Sequence, residues 1–144
     1  MKHHHFLSQV DDDKLLAAIR AAERKTSGEI RVFVSHHLIT DALAGAEKQF
    51  RHLGMHKNKR RNGVLIFIVP KSQSFAIYGD AAVHAKCGPE FWQALRDEMT
   101  GHLKAGEFMT ALLHAVNRAG DLLAVHFPAE ANGGGRAVGP IEFE

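Results

Sequence analysis

A run of six consecutive apolar residues, 64–69, is the feature that most restricts how this chain can fold. The run is rich in β-branched and aromatic side chains, is too short for a long helix, and leaves no polar position for a solvent-exposed face. It therefore predicts a central strand that is covered on both sides. Because amphipathic helical segments stand before and after it in the sequence, the run favours a three-layer α/β/α arrangement.

Two further strands are predicted beside this central strand. Residues 29–34 alternate polar and apolar side chains before becoming fully apolar, and residues 74–78 follow Pro70 and a short polar turn. A helix ending at Gly54 lies between the first two strands, so they form a parallel βαβ unit, and the third strand returns antiparallel through a hairpin. The predicted fold is a Rossmann-like three-layer α/β/α sandwich with a small mixed sheet.

Helical periodicity and composition set the expected domain limits. Residues 1–10 are expected to form an N-terminal arm and residues 11–128 the folded domain, which begins with an amphipathic helix and ends with two more. Residues 129–144 contain three consecutive glycines and little apolar content. Such a segment cannot offset its ordering entropy, so a disordered tail is expected there.

Composition also excludes several classes of protein. Cys87 is the only cysteine, which rules out an internal disulfide and a zinc site of several thiolates, and favours a reducing, cytoplasmic location. No apolar run approaches the roughly 18 residues of a membrane span, so no direct membrane insertion is expected. The basic residues at 56–61 lack interleaved aromatic side chains, so no nucleic-acid partner is expected. Common hydrolase motifs are missing, and the sequence assigns no catalytic residue.

The predicted topology brings together polar residues that are far apart in the sequence. The starts of the first two strands and the end of the third fall at one edge of the sheet, where we expect Glu29, Arg61, Asn62, Gly79 and Asp80, with His84 just beyond. Glu29 and Asp80 could hold calcium or magnesium through oxygen ligands, or act as an acid and a base. A structural role is equally open, with Asp80 capping the segment that starts at Ala81.

Three motifs, in order, resemble the TPM domain family: Thr26-Ser27-Gly28-Glu29-Ile30-Arg31-Val32, then Arg61-Asn62-Gly63-Val64-Leu65-Ile66, then Ile77-Tyr78-Gly79-Asp80 with His84 after it. The resemblance covers about residues 6–128. It implies an α/β/α sandwich, a cleft in which some relatives bind calcium, and the acid-phosphatase activity known from plant members. The acidic cleft positions of the family map onto Glu29 and Asp80.

Arg61 departs from the family pattern, since many longer, membrane-linked relatives carry an acidic residue there. A guanidinium disfavours a bare divalent cation and favours an anionic ligand. We therefore expect an accessory or binding domain whose cleft takes a divalent cation or a small anionic ligand, and the resemblance implies a membrane-associated protein partner. One alternative is a weak metal-assisted acid phosphatase. Another is anion or nucleic-acid binding through the basic loop 56–61. The oligomeric state stays open.

Overall fold

Residues 9–129 and 141–143 are described by the computed structural model. Within them the helices are α1 (Gln9–Arg24), α2 (Ala42–His52), α3 (Ala81–Cys87), α4 (Pro89–Lys104) and α5 (Phe108–His126), and the strands are β1 (Glu29–Val34), β2 (Gly63–Val69), β3 (Ser74–Gly79) and β4 (Ile141–Phe143). Short 3-10 turns at Met55–Lys57 and Pro70–Ser72 precede and follow β2. The short helix α3 is the one helix of this set that the sequence pattern did not predict.

The sheet has the strand order β3-β2-β1-β4 and is mixed. β1 and β2 run parallel with Glu29 opposite Gly63, while β3 is antiparallel to β2 with Gly79 opposite Val64. Every residue of β2 is buried, as the apolar run predicted. The predicted βαβ unit followed by a hairpin is therefore confirmed, and so is the three-layer α/β/α fold.

Alternating side chains of the strands divide the core into two halves. Ile30, Ile66 and neighbouring strand residues face α1, α3, α4 and α5. Phe33 and Phe67 face the opposite way, towards α2, and their rings stack with centroids 5.5 Å apart. Each fully buried aliphatic or aromatic side chain contributes about 1.5–3 kcal/mol to folding. The sheet is the middle layer, and its two faces pack against different helices.

The predicted tail needs a correction at its far end. Residues 141–143 lie within the segment 129–144 that we expected to be disordered, yet they form β4, which pairs in parallel with β1 and sets Ile141 opposite Val32. The outer edge of β1 presents unpaired backbone groups, and β4 provides their partners. A three-residue strand is too short to be recognised from its pattern. Helix α1 also begins two residues before the predicted domain limit, at Gln9. Residues 1–8, 130–140 and 144 of the predicted arm and tail lie outside the described residues.

Candidate functional site

A paired arginine and aspartate stand at the edge of the sheet where the strand ends were predicted to meet. The Nε atom of Arg61 donates to Oδ2 of Asp80 at 2.8 Å, and Nη2 donates to Oδ1 at 2.8 Å. The Asp80 side chain is only 4% exposed, whereas that of Arg61 is 50% exposed. This geometry is the bidentate arrangement that a planar guanidinium forms with a carboxylate.

The backbone around this pair holds both residues in place. Arg61 has a φ of 53°, in the left-handed region that most residues avoid. Its N–H donates to the carbonyl of Asn58 at 3.1 Å, and its own carbonyl accepts from the N–H of Ala82 at 3.0 Å. The N–H of Asp80 donates to the carbonyl of Gly63 at 3.0 Å. Tertiary contacts, and not local preference, therefore aim the Arg61 side chain at Asp80.

Both oxygens of Asp80 accept hydrogen bonds. Its Oδ1 also accepts from the N–H of Ala81 at 2.7 Å, which caps the start of α3. Burial opposes ionisation of this carboxyl, but the hydrogen bonds from Arg61 and Ala81 and the charges of Arg61 and His56 outweigh it, so the pKa of Asp80 lies below its ordinary value. The hydrogen bonds and charge of Asp80 raise the pKa of Arg61. Asp80 is thus a neutralised partner and not a free ligand.

A cavity of about 260 Å³ opens beside this pair on the α2 side of the sheet, lined by Phe50, Arg51, His56, Arg61, Tyr78 and Asp80. The rings of Phe50 and Tyr78 meet edge to face with centroids 4.8 Å apart and form its apolar wall. The Nδ1 atom of His56 is buried and has no hydrogen-bond partner among the described residues. Two arginines and a histidine therefore surround a single carboxylate that is already paired.

Glu29 lies on the same face of the sheet as Asp80 but has a different partner. Gly63 stands between them on β2, so neighbouring strand spacings place their Cα atoms about 10 Å apart. A Cβ at Gly63 would lie 3.3 Å from Cε of Met55 and 3.5 Å from a ring carbon of Phe50, so apolar side chains fill the space above it. The Oε2 atom of Glu29 instead accepts from Nε of Arg31 at 3.0 Å. Each carboxylate has its own arginine.

Asn62 is completely buried and connects neighbouring loops. Its Oδ1 accepts from Nδ2 of Asn58 at 2.9 Å, and its Nδ2 donates to Oγ of Ser27 at 3.3 Å. Both ends of the amide are therefore used inside the protein. This residue holds the loop that carries Arg61 and does not face the cavity.

Gly79 and His84 belong to a second cavity on the other side of the sheet. Successive residues of a strand point to opposite faces, so Gly79 and Asp80 cannot line one pocket together. The second cavity has a volume of about 230 Å³ and includes Trp92 and Arg96 of α4 among its lining residues. The sequence predicted Gly79 and His84 to lie with Asp80, and it pointed to His56 only as part of the basic loop 56–61. Trp92, Arg96, Arg51 and Tyr78 were not predicted as site residues. Strand alternation was the signal that could have separated Gly79 from Asp80. It could not have placed His84, which lies on α3 and whose ring also meets that of Tyr78 edge to face, with centroids 6.4 Å apart.

The residues at this edge do not fit a divalent cation shared by Glu29 and Asp80. Both oxygens of Asp80 accept hydrogen bonds from Arg61, and one oxygen of Glu29 accepts from Arg31. Across residues 9–129 and 141–143, no group of three or more histidine, cysteine, aspartate or glutamate side chains converges so as to hold a metal ion. A hard cation needs carboxylate oxygens, with carbonyls and waters completing its coordination, and here arginines are paired with both carboxylates.

The fold is a mixed sheet between two layers of helices, and a basic pocket lies at the edge of the sheet beside the first turn of α3. The chain belongs to the TPM domain family, whose match covers residues 1–122. The resemblance found in the three sequence motifs is thereby confirmed. A comparison with curated proteins gives no match. In the part of the chain that the structure describes, no helix is both long enough and apolar enough to cross a bilayer.

Solved structures agree with this assignment. The chain is similar to the BA42 protein from the psychrophilic bacterium Bizionia argentinensis, whose NMR structure superimposes with a TM-score of 0.88 at 32% identity over 96% of each chain. The N-terminal domain of a protein from P. gingivalis superimposes with a TM-score of 0.71 at 15% identity, over 85% of this chain and 79% of that one. The second likeness concerns the fold alone.

Proposed function

We propose that this TPM domain is a binding domain for a small oxyanion, of the phosphate type, in the cavity between α2 and the Arg61–Asp80 pair. The observation that carries the proposal is the pairing of Asp80 with Arg61, which neutralises its charge, together with the further hydrogen bond from the N–H of Ala81. With its only carboxylate already neutralised, the cavity presents basic groups to solvent. Oxyanions are the ligands that such groups recognise.

The exposed half of the Arg61 side chain is the centre of the proposed site. Nε and Nη2 donate to Asp80, which holds the guanidinium in place and leaves Nη1 as a donor that Asp80 does not use. Arg51 adds a second guanidinium, whose contact with Glu47 of the same helix is long, at 3.7 Å. His56 also lines the cavity, and its buried Nδ1 has no hydrogen-bond partner among the described residues. A preorganised arginine loses little entropy on binding, which favours affinity.

Divalent-cation binding through Glu29 and Asp80 stays a prediction and is a rival to this proposal. A cation would have to displace Arg61 from a buried carboxylate, leaving the guanidinium without its partner. An oxyanion would not have to displace Arg61 from Asp80, and its charge is complementary to the guanidinium. Phosphatase turnover likewise stays a prediction, since no group in the cavity has been placed as a nucleophile or a base.

Amide NMR can separate the anion from the cation. Titration with sodium phosphate, against sodium chloride at equal ionic strength, should shift the amides of Arg61, Tyr78, Asp80 and Ala81 saturably. Calcium chloride and magnesium chloride, added to separate samples, should leave those amides in place. Saturable shifts with either cation, and none with phosphate, would reject the proposal in favour of the cation site.

Matched variants locate the anion. Arg51→Gln removes a charge from the exposed surface of α2 without touching Asp80, and should weaken phosphate binding about fivefold. Arg61→Gln should abolish saturation, although it also leaves Asp80 without its partner, so Arg51→Gln is the decisive variant. Arg20→Gln, on the exposed side of α1, is the control and should bind phosphate as the wild type does. Equal losses of phosphate affinity in Arg51→Gln and Arg20→Gln would indicate nonspecific attraction of phosphate by the positive charge of the protein.

The cytoplasmic location and the membrane-associated partner stay predictions that rest on composition and on family resemblance. A binding domain needs no turnover to act, so an accessory role beside another protein is consistent with the proposed oxyanion site. Crosslinking in cells followed by membrane fractionation tests the partner. Recovery of the chain in crosslinked membrane complexes would support the partner, and recovery as an uncrosslinked species from every fraction would argue against it.

A further inference from the structure

We infer that the second cavity, between β3, α3 and α4, is a binding site for a small molecule with an apolar, ring-sized body and one carboxylate group. This cavity lies on the opposite face of the sheet from the proposed oxyanion site. It combines an apolar floor with a cationic rim, and the two parts come from different elements. The inference does not depend on the oxyanion proposal.

The floor is built by Trp92, Ile77 and Gly79. Trp92 and Ile77 are 7% and 8% exposed, so each presents a small apolar area to the cavity. A Cβ at Gly79 would lie 2.9 Å from Cγ1 of Val83 and 3.8 Å from Cζ2 of Trp92, so the glycine lets α3 and α4 approach the strand closely. The ring of Phe91 meets that of Trp92 edge to face at 5.1 Å and fixes its orientation. Such a floor is rigid and suits a flat apolar group.

The rim carries Arg96 and His84. Arg96 follows Trp92 by one turn of α4, so both side chains lie on the same side of that helix. Its guanidinium donates to Oε1 of Gln93 at 3.1 Å, and within the described residues no carboxylate is paired with it. His84 stands across the cavity on the exposed surface of α3. A charged donor without an acidic partner, above an apolar floor, fits the carboxylate of an otherwise apolar molecule.

The volume of the cavity and an acidic residue at its edge restrict the choice of ligand further. A volume of about 230 Å³ is smaller than the roughly 300–1,000 Å³ of typical drug-sized pockets, so one ring and a short polar group fill it. Glu90 lies near Gly88 at the edge of the cavity, with Oε1 3.7 Å from the position of a Cβ there. A carboxylate at the Gly88 end of the cavity would be repelled by it, so the ligand carries a single carboxylate and places it at Arg96. An aromatic or cyclic monocarboxylate meets all of these conditions.

Trp92 makes the test direct, because it is the only tryptophan in the chain and lies in the floor of the site. The full chain is titrated with benzoate, with benzyl alcohol, which has the ring without the charge, and with acetate, which has the charge without the ring. Benzoate should change the fluorescence saturably, and the other two should bind at least fivefold more weakly. Linear quenching by benzoate with no saturation would overturn the inference.

Variants then assign the charge to Arg96. Arg96→Gln should lower benzoate affinity about fivefold to tenfold and leave the affinity for benzyl alcohol unchanged. A loss shared by both probes would indicate a damaged floor and would reject the role of Arg96. Arg51→Gln, in the other cavity, is the matched control and should leave benzoate binding intact. Because that same variant weakens phosphate binding if the oxyanion proposal holds, the two proposals can fail separately.

Discussion

The guanidinium of Arg61 and the carboxylate of Asp80 form two hydrogen bonds of 2.8 Å each across 19 residues of sequence. Arg61 precedes β2, and Asp80 lies between β3 and α3. The pair therefore connects these three elements at one corner of the domain. It also neutralises Asp80, the one carboxylate among the described residues that line the neighbouring cavity. Fold stability and the proposed preference for an oxyanion therefore depend on the same contact.

Asp80→Asn should lower the free energy of unfolding by about 1–3 kcal/mol, since it weakens a buried charged pair and the cap of α3. Urea unfolding at pH 7 measures the change. Asp121→Asn is the matched control: its pair with Lys25 is 3.2 Å long with side chains 62% and 56% exposed. Its cost should stay below about 0.5 kcal/mol. Equal costs for the two variants would contradict the importance of the Arg61–Asp80 pair.

The same pair predicts a particular pH dependence. Because the pKa of Asp80 is lower in the folded protein than its ordinary value of 3.8, the unfolded chain binds more protons between the two values. The stability that Asp80 contributes is thus complete above about pH 4–5 and is lost as the pH falls through the folded pKa. The difference in stability between wild type and Asp80→Asn should shrink on acidification. A difference that is constant from neutral pH to pH 2 would contradict this assignment.

The backbone at Arg61 can be tested apart from its side chain. Its φ of 53° disfavours residues with a Cβ, so Arg61→Gly should be about 0.5–1 kcal/mol more stable than Arg61→Ala. Both variants remove the guanidinium, and comparison of their urea midpoints isolates the backbone. Gln73, with a φ of 51°, offers the same comparison away from the site. An alanine variant as stable as the glycine variant at position 61 would mean that the loop rearranges.

The strands were predictable because their signals are local. The apolar run of β2, the alternation in β1 and the polar turn before β3 identify all three strands to within a residue, and chain direction then places Glu29, Arg61 and Asp80 at one edge. The pairing of Arg61 with Asp80 was not predictable. It depends on the left-handed φ of Arg61 and on the apolar side chains above Gly63, and tertiary contacts determine both.

Two other features were missed for different physical reasons. β4 is three residues long, so its pairing with β1 depends on a free sheet edge and not on any periodicity. Trp92 has the helical spacing of a core residue, and the sequence cannot show that one edge of a core side chain borders a cavity. Sequence patterns identify elements and faces, whereas cavities depend on how closely those elements approach.

Removal of residues 130–144 tests the contribution of β4. The truncated chain should remain folded, because both halves of the core lie within residues 9–129. Amide protons of β1 on the side facing β4, from Val32 to Val34, should exchange at least about tenfold faster, since they lose their partner strand. The amides between β2 and β3 serve as the internal control. Unchanged exchange in β1 would show that β4 does not protect that edge.

Two helical glycines should respond to alanine in opposite directions. A Cβ at Gly120 of α5 would lie 2.6 Å from Cβ of Ala22 in α1, whereas a Cβ at Gly101 of α4 would meet nothing within 4 Å. Gly120→Ala should therefore cost about 1–3 kcal/mol through overpacking of α1 against α5. Gly101→Ala should raise the free energy of unfolding by about 0.5–1 kcal/mol, because alanine has the higher helix propensity. Ala22→Gly combined with Gly120→Ala should recover most of the loss, apart from the propensity cost of the new glycine. If the double variant is no more stable than Gly120→Ala, the contact between α1 and α5 is not the source of the cost.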